Sequence, residues 1–312
     1  MPAGLPATLL RRLQLFFALS RTPHGLIDMA APAMAALLCL GRFPSLGVTV
    51  VGLITVFAGY TAVYALNDLV DFNVDRRKAE AGGLRKEAGD LDGMIIRHPL
   101  AQGILSFRAG LAWASGWALV ALAGAYWLNP VCVYLFLSGA VLEGIYCKLW
   151  QVTPMRALVN GAVKTLGPLA AVFAVDPAPP PLFLAVLFLW LFAWEIGGQN
   201  IPNDWTDLEE DRRFNAQTIP IRFGLPRAAL LIVGCLVCAL FFNIAILWVS
   251  PLSFGTVPMI AAVGINIFLL LRPAFRLGEG GEARHAMALF NRASYYPLAN
   301  LLLVLLRMAY EV

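Results

Sequence analysis

The chain has 312 residues, of which 60% are hydrophobic and only 13% are charged, and its formal net charge is +4. An ordinary soluble domain carries roughly 25% charged residues. This composition excludes a water-soluble fold and indicates a protein that uses lipid as its solvent.

The first 22 residues predict an amphipathic helix that lies at the membrane interface. Arg11, Arg12 and Arg21 surround an apolar stripe that is too short to span a bilayer. A cleaved signal peptide is the alternative, but no small-residue cleavage site follows. We therefore expect the segment to remain on the protein.

Nine apolar runs are long enough to cross about 30 Å of hydrocarbon. They cover residues 24–41, 48–66, 108–127, 129–147, 157–175, 181–200, 227–249, 255–271 and 293–310. These runs predict an all-α polytopic membrane protein in which residues 1–312 form a single transmembrane domain of nine helices. The five cysteines lie in or beside the runs, which favours small buried side chains over a disulfide scaffold.

The distribution of Lys and Arg predicts the orientation. Three Lys or Arg residues precede the first run, and seven lie between the second and third runs. Two follow the fourth run, four follow the sixth and four follow the eighth. Arg42 and Arg307 are the basic residues of the opposite side. The positive-inside rule therefore predicts a cytoplasmic N-terminus and cytoplasmic long connections.

Two of these connections, residues 67–107 and 201–226, carry polar motifs, whereas the loops of the far side are short and rich in turn formers. Within the first connection, residues 78–97 form a polar stretch with several glycines. This stretch predicts either a mobile lid or a solvated loop.

One motif occurs twice, as NDLVDFNVDRR at 67–77 and NDWTDLEEDRR at 203–213. On a helix, Asn67, Asp71 and Asp75 fall at i, i+4 and i+8 and so share one face. The matching residues of the second copy, Asn203, Asp207 and Asp211, do the same. Each copy is a ladder of oxygen ligands.

Topology brings both ladders to the same side of the membrane, because the second and sixth runs cross it in the same direction. Carboxylates concentrated in this way repel one another unless cations lie between them. Oxygen ligands without attendant His or Cys favour Mg²⁺, which completes its shell with substrate phosphate oxygens. The alternative is a pair of solvated helix ends that are salt-bridged to the adjacent arginines.

Basic residues at the same side could bind a diphosphate, namely Arg21, Lys148 and Arg156, although each could instead be a snorkelling anchor. Lys164 differs because it lies inside an apolar run, where an unpaired cation is unfavourable. Its available acidic partners are Asp28, Glu143 and Glu195. A structural ion pair and a catalytic role both remain open for Lys164.

These residues resemble the UbiA superfamily of intramembrane prenyltransferases, whose members have an NDxxDxxxD first motif and a second DxxxD motif. Flanking segments support the resemblance: SRTPHGLIDMAAPAMAALL at 20–38, RHPLAQGILS at 97–106, IYCKLW at 145–150 and AQTIPIRFG at 216–224. The chain departs from the family pattern in its long linker after the first motif and in His98, where an Arg is common.

The resemblance implies a helical barrel of nine helices whose central cavity opens to the cytoplasm. It also implies that Asp71, Asp75, Asp207 and Asp211, with Asn67, hold Mg²⁺, for which Mn²⁺ is an expected substitute. Asp68, Asn203 and Asp204 would complete the metal shells or orient ligands. Aromatic rings such as Tyr64, Tyr146 or Trp194 could stabilise an allylic cation, although core packing is the alternative for each ring.

The activity that the resemblance implies is transfer of an isoprenoid chain from a prenyl diphosphate to an acceptor. The acceptor could be an aromatic quinone precursor or, as in archaeal-type ether-lipid transferases, another lipid precursor. Terpene cyclisation without an acceptor and cation-dependent transport are the alternatives. We expect membrane lipids and small molecules as partners and no nucleic acid, and the oligomeric state stays open.

Overall fold

The computed structural model describes residues 5–81, 96–280 and 282–310, and every regular element in these ranges is helical. The helices of the first half are α1 (Leu5–Leu19), α2 (Thr22–Asp28), α3 (Ala30–Leu40), α4 (Leu46–Val70), α5 (Phe72–Glu80), α6 (Phe107–Leu128), α7 (Pro130–Lys148) and α8 (Arg156–Val175). Those of the second half are α9 (Pro181–Trp194), α10 (Ile201–Thr206), α11 (Leu208–Arg213), α12 (Ile219–Phe223), α13 (Leu225–Val249), α14 (Thr256–Asn266), α15 (Arg272–Gly280), α16 (Ala283–Ser294) and α17 (Tyr296–Ala309). Two π-helical segments, Glu195–Asn200 and Ile267–Leu271, join α9 to α10 and α14 to α15.

Eight stretches of the described residues are long and apolar enough to span a membrane, so the chain is an integral multi-pass membrane protein. They are Thr22–Leu40, Leu46–Val70, Phe107–Leu128, Pro130–Lys148, Arg156–Val175, Pro181–Thr206, Leu225–Val249 and Thr256–Leu277. Eight of the nine predicted spans are thereby confirmed.

The ninth predicted span, residues 293–310, is divided between two helices. The chain turns at Tyr295, and α17 then has only 14 residues, or about 21 Å at 1.5 Å per residue. Pro297 in its first turn fits a helix that starts anew, because proline has no N–H to continue the preceding one. The count of nine therefore stays a prediction.

A chain of buried hydrogen bonds holds α17 among its neighbours. Trp190 donates to the hydroxyl of Tyr296 at 2.8 Å, and that hydroxyl donates to Asn266 at 2.9 Å. Asn266 donates in turn to Asn243 at 2.9 Å, and Asn243 donates to Asn300 at 3.1 Å. These side chains are buried. The network satisfies polar groups that would be unfavourable in lipid and ties α9, α13, α14 and α17 together.

The predicted N-terminal helix corresponds to α1, which packs against α6, and its location at the membrane interface stays a prediction. Phe16 stacks on Trp113 with ring centroids 4.8 Å apart, and the Trp113 indole donates to Ser20 at 2.8 Å. Arg11 and Arg12 are exposed, whereas Leu15 and Leu19 are buried. The predicted lid, residues 78–97, falls largely on residues 82–95, outside the described ranges.

Candidate active site

A cavity of about 700 Å³ runs through the bundle and is lined by residues of α2–α8, of the π-helical segment Glu195–Asn200 and of α10, α11, α16 and α17. Both aspartate motifs line one end. Mostly apolar side chains line the rest, as far as Phe43, Pro44, Leu128 and Val175 in or beside the turns of the opposite end. The distance along α4 from Asn67 to that end is roughly 28 Å at 1.5 Å per residue. The cavity is therefore a tunnel with one polar end.

The two motifs have the same local backbone. In each, a helix ends one residue before the middle aspartate and a new helix begins directly after it. The φ and ψ angles are −87° and 0° at Asp71 and −90° and 10° at Asp207. The i to i+4 hydrogen bonds continue through both breaks, with Asp75 N–H donating to the Asp71 carbonyl at 2.9 Å and Asp211 N–H to that of Asp207 at 2.8 Å. The sequence repeat is thus also a structural repeat.

The first motif is held by two basic side chains. Arg21 donates to Asn67 at 3.3 Å and lies 3.5 Å from Asp68. His98 Nδ1 lies 3.1 Å from carboxylate oxygens of both Asp68 and Asp75. One ligand atom from each of Asp68, Asp75 and His98 lies within 4.8 Å of the others. His98 has a positive φ of 49°, a conformation that is uncommon outside glycine.

The second motif has an equivalent pair of basic partners. Arg156 donates to Asp204 at 2.5 Å, and its guanidinium lies 4.7 Å from the ring centre of Tyr146. Lys78, which follows the first motif on α5, lies 3.9 Å from Asp211 and 3.1 Å from Glu210. Lys78 therefore links the first motif to the second.

Three aspartates of the two motifs, outside the membrane-spanning segments, have shifted pKa values. Burial and the nearby charge of Asp75 raise the pKa of Asp71 to about 6. Burial and the charge of Asp204 raise the pKa of Asp211 to about 8. Burial also raises the pKa of Asp75, but the hydrogen bond and charge of His98 outweigh it and lower that pKa below its usual value.

This site fits a hard divalent cation, because crowded carboxylates with raised pKa values would be relieved by a positive charge between them. The oxygens that could hold metal come from the face of each ladder: Asn67, Asp71, Asp75, Asn203, Asp207 and Asp211, all of which line the cavity. Arg21, Lys78 and Arg156 line the same end and could face the phosphates of a ligand. Cationic groups on both sides of the ladders suit a diphosphate.

Lys164 forms an ion pair with Asp28, while its predicted catalytic alternative stays a prediction. Its ammonium donates to Asp28 at 2.6 Å and to the Tyr64 hydroxyl at 2.8 Å, and it lies 5.2 Å from the centre of the Tyr64 ring. The other two predicted partners have other roles. Glu143 accepts from Asn67 at 2.6 Å, and Glu195 accepts from Asn160 at 2.8 Å.

Two predicted site residues lie elsewhere. Within the described residues, the cavity lining includes neither Lys148, which is exposed, nor Trp194. The Trp194 indole donates to the Ala293 carbonyl at 3.0 Å and stacks on Tyr296, so the ring belongs to the packed core. Tyr64 and Tyr146 do line the cavity.

Sequence reasoning also missed site residues. Lys78 is three positions after Asp75 and shares its helix face, a spacing that could have identified it. The sequence of His98 and its neighbours indicates only a departure from the family pattern. The spacing of the motifs carries no information about its contact with Asp68 and Asp75, because 30 residues separate His98 from Asp68.

Comparisons with known proteins identify related sequences and structures. The model of a family described as the UbiA prenyltransferase family matches residues 29–295. The chain is 25% identical over 276 residues to a digeranylgeranylglyceryl phosphate synthase of Methanoregula boonei, covering 84% of this chain and 86% of that protein.

Solved structures show the same fold. The apo structure of a UbiA homologue from Aeropyrum pernix K1 superposes with a TM-score of 0.72 at 17% identity, covering 91% of this chain and 98% of that one. A UbiA homologue from Archaeoglobus fulgidus bound to DMAPP and Mg²⁺ gives a TM-score of 0.66 at 17% identity, covering 93% and 98% of the two chains. The resemblance inferred from the motifs is confirmed.

Proposed function

This chain belongs to the UbiA prenyltransferase family and is a membrane-embedded prenyltransferase, and we propose that it transfers the prenyl group of a prenyl diphosphate to a lipid precursor in a Mg²⁺-dependent reaction. The observation that carries the proposal is the pair of equivalent aspartate ladders at the polar end of an apolar tunnel. A prenyl diphosphate has the matching form, an anionic head on an apolar tail.

The metal would be held by Asn67, Asp71 and Asp75 on one side and by Asn203, Asp207 and Asp211 on the other. Bound Mg²⁺ supplies electrostatic stabilisation of the negative charge that develops on a departing diphosphate. Asp68 and Asp204 have a different role, because their carboxylates orient Arg21 and Arg156. Those arginines, with Lys78, then face the phosphates.

The tunnel protects the allylic cation that forms when the diphosphate leaves. Its apolar wall excludes water, which would otherwise capture the cation. Tyr64 and Tyr146 present aromatic faces beside the polar end, where each already has a basic side chain over its ring. We assign cation stabilisation to these two rings and not to Trp194.

We propose that this end of the tunnel faces the cytoplasm and that the N-terminus is cytoplasmic. The support is the excess of Lys and Arg in the connections on that side. With α17 as a ninth span, the C-terminus would lie on the opposite side.

The acceptor that we propose is a glyceryl lipid precursor. The support is the similarity to the Methanoregula boonei protein, whose name describes a glyceryl phosphate that carries two geranylgeranyl groups. The length of the tunnel also suits a long donor tail. Aromatic quinone precursors and cyclisation without an acceptor are outcomes of the test.

The test incubates the purified protein in lipid nanodiscs with labelled geranylgeranyl diphosphate, Mg²⁺ and one acceptor at a time. Geranylgeranylglyceryl phosphate should give a product that is heavier by one geranylgeranyl group. Transfer to hydroxybenzoate alone would assign an aromatic acceptor, and hydrocarbon formed without acceptor would assign a cyclase. An unconsumed diphosphate in every reaction would refute the proposal.

A further inference from the structure

The π-helical segment Glu195–Asn200 is a widened turn in the cavity wall, just before the second motif. The N–H of Ile201 donates to the carbonyl of Ile196, five residues earlier, instead of four. Pro202 accounts for this geometry, because it has no N–H to bond the carbonyl of residue 198 and its ring would clash with that carbonyl in a regular helix.

Close packing on the outer side of this segment requires its two glycines. A Cβ on Gly197 would lie 2.7 Å from the Cβ of Cys235, and a Cβ on Gly198 would lie 2.9 Å from that of Ala293. The segment therefore packs closely between α13 and α16, and this packing determines where its polar side chains lie.

The wide turn brings two polar side chains to the cavity. On a regular α-helix, positions 195 and 200 would be about 140° apart at roughly 100° per residue. Here both Glu195 and Asn200 line the cavity, with exposures of 2% and 4%.

Each of these side chains has one buried oxygen for which the described residues supply no hydrogen-bond donor, Oε2 of Glu195 and Oδ1 of Asn200. Their other polar atoms are used. Glu195 Oε1 accepts from Asn160 at 2.8 Å, and Asn200 Nδ2 donates to the Tyr146 hydroxyl at 3.1 Å. These bonds anchor both side chains beside the cavity. Two such oxygens are unfavourable unless a water or a ligand donates to them.

The position of this pair relates it to the reaction. Tyr146, which binds Asn200, also lies against Arg156 at the polar end of the tunnel. Asn200 therefore adjoins the place where the first carbon of a prenyl chain would lie, and Glu195 belongs to the same π-helical segment. The ammonium of Lys164 donates to Asp28 and Tyr64 and makes no hydrogen bond to Oε2 of Glu195.

We propose that Glu195 and Asn200 form the acceptor subsite and bind a hydroxyl group of the acceptor. This inference rests on the proposed prenyl transfer and adds the chemical class and the residues that select it. The two oxygens can only accept hydrogen bonds, so they select a ligand group that donates one. A hydroxyl group is the hydrogen-bond donor that a glyceryl lipid presents. A carboxylate or phosphate of the ligand is excluded from this position, because it offers no proton and would face the carboxylate of Glu195.

The test measures equilibrium binding in nanodiscs that contain Mg²⁺ and inorganic pyrophosphate, with no prenyl donor present. The probes are 1-O-geranylgeranylglycerol and its di-O-methyl ether, which keeps all three oxygens but has two additional methyl groups and no hydroxyl protons. The wild-type protein should bind the diol about 10-fold or more tightly, as expected for the loss of a buried hydrogen bond. Equal affinities would overturn the proposal, and this comparison requires no variant to fold.

The variant Glu195→Gln should bind the di-O-methyl ether as before and lose at least threefold of the preference for the diol. Glu209→Gln, on the exposed side of α11, is the matched control and should keep the preference. A preference that survives in Glu195→Gln would also overturn the assignment. Since binding is read without turnover, failure of prenyl transfer in the preceding assay would be a separate result.

Discussion

Replacing the middle aspartate of either motif, as Asp71→Asn or Asp207→Asn, should abolish prenyl transfer and leave the fold intact. Both residues occupy equivalent breaks between two helices, and both line the polar end of the tunnel. Asparagine preserves the shape of the side chain and removes the charge that a divalent cation requires. The effect should therefore fall on metal binding and not on packing.

The substitution should lower the rate of prenyl transfer and raise the stability of the metal-free protein. Loss of one preorganised electrostatic contribution typically lowers a rate by ~10²–10³, and loss of the metal itself adds to this. Stability should change in the opposite direction. The rise of the Asp71 pKa from 3.8 to about 6 means that the ionised carboxylate is disfavoured in the metal-free fold. At pH 8 this amounts to an upper limit of about 3 kcal/mol, reduced by solvent because Asp71 is only partly buried.

The assay pairs product formation with thermal unfolding in EDTA at pH 8. Asp71→Asn should lose at least ~10²-fold in rate and unfold at the wild-type temperature or above it. Glu209→Gln, on an exposed side chain of the same motif as Asp207, should change neither quantity. Near-normal transfer by both Asp71→Asn and Asp207→Asn would show that the repeated motif is a charged helix end and would refute the site.

Further expectations concern the metal, pH, the tunnel and topology. EDTA should abolish transfer and either Mg²⁺ or Mn²⁺ should restore it, so full turnover in chelator would contradict the metal site. Because protons compete with metal for carboxylates, the pKa values of about 6 for Asp71 and about 8 for Asp211 predict that Mg²⁺ affinity rises with pH across that range. A Mg²⁺ titration with the same midpoint at pH 6 and pH 8.5 would contradict this assignment. A Cβ at Gly52, near the apolar end of the tunnel, meets no atom within 4 Å. The variant Gly52→Leu should thus fold and shift the kcat/KM preference by about 10-fold towards shorter prenyl diphosphates; an unchanged preference would mean that the tail does not reach this point. Cysteines introduced at positions 90 and 178 should be labelled from opposite sides of the membrane, and labelling from one side would contradict the orientation.

Much of the fold was predictable because lipid imposes a simple rule. A segment must be about 20 apolar residues long to span hydrocarbon as a helix, and eight predicted spans were found by that rule. The ninth was harder because α17 is short and is held by Asn300 and Tyr296, whose partners lie on other helices. Apolar length carries no information about such contacts.

The aspartate ladders were predictable because helical spacing places i, i+4 and i+8 on one face, and a sequence repeat makes that pattern visible. The details of the site depend on contacts between distant segments. Lys78 on α5 contacts Asp211 of the other motif, and His98 contacts Asp68 and Asp75. The orientation of Trp194 depends on α16. An aromatic or basic residue of a membrane protein can pack in the core, anchor the helix at the interface or contact a ligand. Its position within a span does not show which of these roles it has.

The chain of hydrogen bonds from Trp190 to Asn300 has a consequence for biogenesis. Its members lie on four helices, α9, α13, α14 and α17. During synthesis, α17 is the last of these to emerge, so Asn243 and Asn266 enter the bilayer before their partners Asn300 and Tyr296. Each interhelical hydrogen bond of this kind contributes roughly 0.6–2 kcal/mol. Insertion of α17 should therefore complete the hydrogen-bond network and stabilise the second half of the bundle. A chain that ends before Tyr296 should remain a substrate for membrane proteases.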